Sequence, residues 1–301
     1  MNRRDAVLTY GALTGAVVFW GLSFVATKIA LRSFDVAGLL GVRFTASGVL
    51  LLGWMWWRGF PKFSRAEHAK LFALAVFQPG LYFFFETMGV SHTTASKAGL
   101  IVAAVPIAVL ALSAALRLEK ATPVALGGIA LSLVGIYFLI TGGGDAALHG
   151  GSLLGDLFMC GAVAAAAVYM VMVRRLSARH STVDITCMQM VYGAVFFVPL
   201  LFTNGMPGMA SFSMESLGAL GYLVVLCSIG AFLFYNYALA KVPASQASLA
   251  INGVPVVTAL GAWVMLGETL TLTQAAGGAL VLCAVCMTNM LAGRAPATQT
   301  A

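Results

Sequence analysis

The segment ASKAGLIVAAVPIAVLALSAALRLEKAT, residues Ala95–Thr122, recurs 149 residues later as ASQASLAINGVPVVTALGAWVMLGETLT, residues Ala244–Thr271. The two copies align without a gap. In each copy a proline precedes a glutamate by thirteen residues, and the identities continue to a matching glycine. The coinciding pairs are Ala95/Ala244, Ser96/Ser245, Ala98/Ala247, Leu100/Leu249, Val105/Val254, Pro106/Pro255, Glu119/Glu268 and Gly128/Gly277. We interpret the pattern as an internal duplication.

The composition of the chain is that of a membrane protein. Hydrophobic residues make up 60% of the 301 positions and charged residues 9%, whereas soluble proteins contain about 25% charged residues. Because helices pair their own backbone groups, and no alternation of period two is visible, we predict an all-α integral membrane protein with ten transmembrane helices. The ten apolar stretches, each about the length that spans a bilayer core, are 9–31, 36–57, 69–90, 95–116, 122–141, 153–176, 184–203, 216–240, 244–266 and 271–292.

The positive charges predict how the chain lies in the membrane. If the N-terminus is cytoplasmic, only Arg32 and Lys97 fall outside. Thirteen basic residues then fall inside: Arg3, Arg4, Arg58, Lys62, Arg65, Lys70, Arg117, Lys120, Arg174, Arg175, Arg179, Lys241 and Arg294. Loops rich in Lys and Arg stay cytoplasmic, so both termini are predicted to lie on the cytoplasmic side. The membrane is expected to be a cell membrane, the bacterial inner membrane. The net charge of +7 therefore reports orientation, and we expect no nucleic-acid partner.

The chain divides into two halves of five predicted spans. The first repeat is 1–141, the linker is 142–152, and the second repeat, with a short C-terminal tail, is 153–301. Since five is odd, the two repeats must face opposite ways in the membrane. Inverted repeats are typical of secondary transporters, which hold a small-molecule substrate near the midplane and expose it alternately to each side.

Several motifs resemble one transporter family. The stretches FWGLSFVATKIAL at Phe19–Leu31 and RFTAS at Arg43–Ser47, with the two duplicated runs, resemble the EamA-type transporters of the drug/metabolite transporter superfamily. The resemblance covers nearly the whole chain. It implies a ten-helix carrier that exports small metabolites, with amino acids, including aromatic ones, the best-known substrates. The sixth span of the family often carries a tryptophan before a tyrosine; here Ala166 stands in place of the tryptophan. The tyrosine, Tyr169, is retained and is a candidate substrate-binding residue.

Candidate substrate-binding residues follow from depth in the spans. Residues within about one helical turn, roughly 5 Å, of a span centre are Trp20, Gln78, Tyr82, Pro106, Ser228, Asn252 and Pro255. Gln78 and Tyr82 have the spacing of one helix face, Phe85 continues it, and Pro79 loosens the helix between them. A polar face with an aromatic rim suits a zwitterion with a flat side chain. The alternative is that Tyr82 only bonds a neighbouring helix.

The two matched prolines are predicted to be hinges. Pro106 and Pro255 lack an N–H and release the carbonyls of Val102 and Ile251. Such carbonyls need a partner or a hydrated cavity inside a membrane. They could also contact the ligand directly, or the kinks could be relieved by packing alone.

Few charges lie inside the predicted spans. They are Lys28, Arg43 and Glu86, with Lys97 near a helix start. Each costs at least ~3 kcal/mol at the bilayer centre unless it is paired or hydrated. We expect an ion pair of Glu86 with Arg43 or Lys28, either structural or forming an outer gate. Glu86 is interpreted as the only carboxylate within the membrane, which leaves proton-coupled transport and facilitated efflux both open.

Other classes of protein fit the sequence less well. A drug or quaternary-cation exporter, the alternative transporter, would need a carboxylate at the midplane. An integral-membrane enzyme would need a polar cluster at one interface, but the four histidines show no shared spacing. The five cysteines all fall in spans and suit buried packing, so no metal or cofactor is expected. Glycine pairs and Gly11-x-x-x-Gly15 predict close helix packing within a monomer more than a dimer face.

Overall fold

The fold was analysed in a computed structural model, which describes residues 3–118, 123–141, 151–177, 181–202, 213–239, 241 and 251–292. These residues form helices and short connections, with no strand among them. The helices of the first half are α1 Arg3–Ala30, α2 Val36–Arg58, α3 Arg65–Ala75, α4 Tyr82–His92, α5 Ala95–Val102, α6 Val105–Ala115 and α7 Pro123–Thr141. Those of the second half are α8 Leu153–Ser177, α9 Thr182–Phe197, α10 Met214–Tyr222, α11 Ala231–Leu239, α12 Val254–Leu266 and α13 Leu272–Ala292. Most of the predicted linker, Glu119 and the start of the second copy lie outside the described residues.

Seven helical segments in the described chain are long and apolar enough to cross a membrane. Three further apolar helices are shorter: Leu126–Thr141, Val254–Leu266 and Leu272–Met287. The shorter helices fall in the fifth, ninth and tenth predicted spans. The protein is therefore a helical membrane protein, while the count of ten spans and the position of the termini stay predictions.

Two long spans are interrupted by a wide turn. A π-helical segment, Val76–Leu81, joins α3 to α4, and a second, Leu223–Gly230, joins α10 to α11. A shift of 149 residues places the first segment on residues 225–230, within the second. At Gln78 the backbone is extended (φ −146°, ψ 117°), because the following Pro79 disfavours the helical conformation and offers no N–H. The predicted loosening at Pro79 is confirmed.

This break corrects the predicted geometry of the Gln78 face. The spacing of four residues between Gln78 and Tyr82 places two side chains on one face only in a continuous α-helix. Here Gln78 is not helical, and Tyr82 is the first residue of α4. The two side chains are therefore positioned by separate elements.

The duplicated segment is broken at the same register in both copies. In the first copy, α5 ends at Val102 and α6 begins at Val105; in the second, turn residues 252 and 253 precede α12. Pro106 and Pro255 each occupy the second position of the new helix, where a missing N–H leaves no intrahelical bond unmade. The predicted mid-helix kinks are thus helix ends followed by restarts.

The main helix contacts join the two halves of the chain. Helix α7 packs on α13, α2 on α9, α4 on α8, and α1 on α10, α11 and α12. The backbones of α7 and α13 approach each other closely where the two helices cross. A Cβ atom added to Gly135 would lie 2.7 Å from the carbonyl oxygen of Gly277, and one added to Gly277 would lie 2.7 Å from the carbonyl oxygen of Gly135. Inside a membrane there is no hydrophobic effect to drive helices together, so they associate through close packing, which small residues such as glycine allow.

The predicted glycine contacts form in part. Besides Gly277, Gly278 faces Leu100 and Gly15 faces Phe234, all within the chain. A Cβ added to Gly11 or Gly127 would meet no neighbouring atom of the described chain within 4 Å. These two glycines therefore lie at open surface rather than at a helix crossing.

We expect a Gly135→Leu variant to be less stable than wild type by about 1–3 kcal/mol, because the added side chain must push α7 away from α13. Gly127→Leu on the same helix is the matched control and should change stability little, since its site is open. Thermal unfolding of both purified variants in one detergent measures the difference. Equal melting temperatures would contradict the close crossing.

Candidate functional site

Arg43 of α2 lies buried between the two halves. Its side chain is 3% exposed, and its Nε donates to the Ser228 hydroxyl at 3.2 Å. The guanidinium carbon also lies 4.6 Å from the Phe83 ring centre and 5.4 Å from that of Phe44. Aromatic faces attract a desolvated guanidinium, so the cation is stabilised here without a carboxylate of the described chain within ion-pair distance.

A second polar contact joins a helix of the second half to the wide turn of the first half. Gln189 of α9 donates from Nε2 to the backbone carbonyl of Gln78 at 3.0 Å, and it accepts a hydrogen bond from the Tyr169 hydroxyl at 3.1 Å. The non-helical backbone at Gln78 leaves this carbonyl in need of a donor. Arg43 thus reaches from α2 to the wide turn of the second half, and Gln189 reaches from α9 to that of the first.

Aromatic side chains surround these contacts. Trp20 lies against Phe232 and Tyr235, with ring centres 5.2 and 5.4 Å apart. Tyr82 packs edge-on to Phe83 at 4.8 Å. Trp20 and Tyr82 border the same buried cluster, so the structure brings these two predicted residues to one region.

Phe85 has a different environment from Tyr82. Its ring lies 6.2 Å from that of Phe158, and its carbon atoms would be 3.2 Å from a Cβ on Gly161. Phe85 therefore packs on α8.

Glu86 is a buried carboxylate on which the charge of Arg43 acts. It is 3% exposed, and its Oε2 has no hydrogen-bond partner in the described structure. Among the described residues, no ion pair within 4 Å joins it to Arg43 or Lys28. The predicted ion pair is therefore absent from this conformation, because Arg43 is bonded to Ser228 and Lys28 donates to two backbone carbonyls.

A polar cluster closes the end of the bundle that the charge pattern predicts to lie outside. Lys97 and Asp156 form an ion pair of 2.6 Å, with side chains 4% and 1% exposed, and the Thr93 hydroxyl donates to the same carboxylate at 2.9 Å. The Lys28 ammonium donates to the carbonyls of Val90 at 2.8 Å and Thr93 at 2.5 Å. We call Lys28, Thr93, Lys97, Asp156 and Glu268 the end cluster.

Glu268 holds the start of α5 within the end cluster. Its carboxylate accepts from the backbone N–H groups of Ala95 and Ser96 and from the Ser96 hydroxyl, each at 2.9 Å. Helix α12 ends at Leu266, and the following Gly267 has a φ of 67°, the left-handed conformation that glycine favours. This turn places Glu268 next to the start of α5. A carboxylate at a helix N-terminus is stabilised by the N–H groups there. Glu119, the residue at the matching position of the first copy, lies outside the described residues.

A narrow crevice lies between α2, α9, the second wide turn and α11, and Ser228, the hydrogen-bond partner of Arg43, is part of its wall. Its walls are apolar apart from Ser228 and Thr186. Asn252 lies at the helix break before α12, and its buried Nδ2 has no hydrogen-bond partner in the described parts of the chain. The described residues contain no group of three or more side chains suited to a metal ion.

Comparison with known proteins decides the class of this site. A model of the EamA-like transporter family matches residues 8–141 and matches again at 153–290. The chain belongs to the EamA-like transporter family.

Relatives of this EamA-like transporter span nearly its full length. A transporter of Archaeoglobus fulgidus, uncharacterised by name, is 28% identical over 292 residues, which are 96% of this chain and 98% of the relative. A protein of Streptantibioticus cattleyicolor named as a probable terminal-alkyne amino-acid exporter is 28% identical over 279 residues, 92% of each chain. A solved crystal structure covers 98% of this chain and 100% of its own with a TM-score of 0.63 at 17% identity, which supports the fold alone.

Two functional contacts of the EamA-like transporter were missed by sequence reasoning. Asp156 lies inside the sixth predicted span, so the interpretation of Glu86 as the only carboxylate in the membrane was wrong. Its signal was available, since an acidic residue in a predicted span demands a partner and Lys97 was the unmatched cation. Gln189 had no comparable signal, because a lone amide within a span does not indicate which carbonyl it meets.

A Gln189→Leu variant should be destabilised more than a Tyr169→Phe variant. The first leaves the Gln78 carbonyl and the Tyr169 hydroxyl without their partner, at about 1–3 kcal/mol each, whereas the second removes one hydrogen bond worth about 1 kcal/mol. Denaturant or thermal unfolding in detergent compares them. Tyr137→Phe, at an exposed position of α7, is the control for loss of a hydroxyl. Equal effects of the two site variants would argue against the Gln189 bridge.

Proposed function

We propose that this EamA-like transporter exports small metabolites by alternating access, with amino acids as the first candidates and aromatic ones favoured. The observation behind the proposal is the Arg43–Ser228 hydrogen bond, a buried cation between the halves beside aromatic rings. We further propose a monomer in the bacterial inner membrane that needs no cofactor and has no catalytic activity.

The chemistry around Arg43 supports an amino-acid substrate. A guanidinium presents several N–H donors that match a carboxylate. The Asn252 Nδ2, which has no hydrogen-bond partner among the described residues, is a further candidate donor. Trp20 and Tyr82 provide apolar rims for a flat side chain. The relative from Streptantibioticus cattleyicolor named as an amino-acid exporter supports the same class.

The repeated breaks support an inverted pair of repeats. Wide turns at Val76–Leu81 and Leu223–Gly230, and helix restarts at Val105 and Val254, follow the same shift in sequence. Broken helices at matching places in two halves are a feature of transporters whose repeats rock against each other around a central site. On this proposal Pro106 and Pro255 mark the hinges, since each stands where one helix has ended and the next begins.

The end cluster supports a closed exit in this conformation. The Lys97–Asp156 pair joins α5 of the first half to α8 of the second. In the duplicated segment, the position of Lys97 is occupied by Gln246, so the corresponding contact at the other end lacks this cation. We propose that the end cluster is the outer gate and that its opening releases substrate.

A drug or quaternary-cation exporter of the same fold is the second candidate. The unpaired Oε2 of the buried Glu86 favours it, because a desolvated carboxylate attracts an organic cation. Glu86 lies in the predicted outer half of its span rather than at the centre, which is why amino acids come first.

Proteoliposomes loaded with labelled amino acids, and separately with a labelled quaternary ammonium compound, test the substrate class. We expect exchange of an aromatic amino acid, slowed roughly tenfold in Trp20→Ala and Tyr82→Ala if each ring contributes about 1.4 kcal/mol. Tyr137→Ala is the control, since Tyr137 is exposed on α7. Exchange of the ammonium compound alone would favour the second candidate. No exchange of any amino acid would refute the first.

Labelling of Cys160 tests the outer gate. Cys160 lies one helical turn after Asp156 and is half-buried. In a variant that keeps only this cysteine, Asp156→Asn should raise the rate of modification by a membrane-impermeant maleimide several-fold, because Lys97 is left buried without its counter-charge. Adding Lys97→Gln should restore the slow rate.

A variant that lacks all five cysteines is the labelling control and measures background modification. The Asp156→Asn change should leave its modification rate unaltered. An unchanged rate at Cys160 as well would show that the ion pair does not hold this end closed.

A further inference from the structure

Glu86 is a buried acid whose function the transport site does not explain. It lies in the first half of α4, is 3% exposed, and leaves Oε2 without a hydrogen-bond partner in the described chain. Arg43, the cation that acts on it, is bonded to Ser228 and covered by Phe83 instead. An ionised carboxylate in such a position lacks both a counter-charge and donors for its second oxygen, which is costly in a membrane interior.

A proton removes this cost. In the protonated acid the charge is gone, and only a neutral polar group remains buried. When a cation reaches the site, the ionised form becomes favourable instead. The same oxygen can therefore hold a proton in one state and face a cation in another.

We infer that Glu86 is the proton-binding site that couples substrate export to proton entry. This rests on the proposed transport function. Substrate arriving from the cytoplasm brings an ammonium group to Glu86, the carboxyl O–H bond breaks, and its proton leaves to cytoplasmic water. After the substrate has left on the outer side, a proton from outside binds the carboxylate. One proton enters for each substrate exported, and the charges at Glu86 balance in both steps.

The other titratable groups around α4 are already paired or uncharged near neutral pH. Lys97 and Asp156 form their own ion pair, and Lys28 is held by carbonyls of the end cluster. The wide turn Val76–Leu81 contains no titratable side chain. The groups that face α4 or lie on it are Arg43 from α2, Lys28 from α1, Lys97 from α5, Asp156 and Cys160 from α8, Cys227 from the second wide turn, and Tyr82 and His92 from α4 itself. Tyrosine and cysteine are neutral at pH 7. His92 is exposed at the end of α4 and is hydrogen-bonded to Ser91. Glu86 therefore remains as the buried acid that exchanges the proton.

The coupling is tested in proteoliposomes that contain a pH-sensitive dye. Wild-type protein should move protons against labelled phenylalanine, and an imposed pH gradient should drive phenylalanine accumulation. In Glu86→Gln, exchange of labelled for unlabelled phenylalanine should be slower than in wild type, because the ammonium group loses its counter-charge. The exchange that remains should move no protons, and an imposed pH gradient should drive no accumulation. Glu215→Gln, at an exposed surface carboxylate, is the control and should retain all three activities.

The outcomes separate the two proposals. Proton movement that persists in Glu86→Gln, or its absence in wild type while phenylalanine exchanges, would overturn the coupling and leave the transporter intact. A wild type that exchanges no amino acid would overturn the proposed substrate instead.

Infrared spectroscopy tests the protonation of Glu86 without any substrate, and so still applies if the protein exchanges no amino acid. The infrared carbonyl band of a protonated carboxyl group should appear at neutral pH in wild type, disappear on alkaline titration, and be absent in Glu86→Gln. If Glu86→Gln does not fold, Glu86→Asp should keep the band at a shifted midpoint. A wild-type spectrum without such a band would overturn the inference.

Discussion

Pairing of backbone polar groups inside the membrane is the constraint on which this structure depends. Each helix break releases carbonyls or N–H groups that lipid cannot satisfy. Here the partners come from the opposite half of the chain: Gln189 for the Gln78 carbonyl, and Glu268 for the N–H groups at the start of α5. The breaks that would allow the halves to move are also what binds the halves together.

Buried charge follows the same rule with one exception. Lys97 and Asp156 neutralise each other across the halves, and Arg43 is covered by aromatic rings and bonded to Ser228. Each arrangement replaces hydration with specific contacts. Glu86 alone among these groups has an oxygen without a partner in the described chain, and this is the observation behind its proposed role in proton coupling.

Much of the helical pattern was predictable from local sequence. Pro79, Pro106 and Pro255 each mark a break because proline removes an N–H whatever surrounds it. The consequence of each break was less predictable: a kink was expected at Pro106, whereas the helix ends and restarts. The prediction of an ion pair of Glu86 with Arg43 or Lys28 was wrong. Arg43 is bonded to Ser228, and Lys28 meets carbonyls at the end of α4, contacts that depend on how whole helices pack.

The sequence by itself determined that the chain is a membrane protein with a duplicated, proline-marked segment, and its motifs indicated the family that comparison confirms. These properties follow from composition, local backbone chemistry and repetition along the chain. Only the tertiary structure decided which polar groups meet: Asp156 with Lys97, Gln189 with Gln78, and Arg43 with Ser228. Such contacts join residues at least 59 positions apart, and their formation depends on the packing of whole helices against one another.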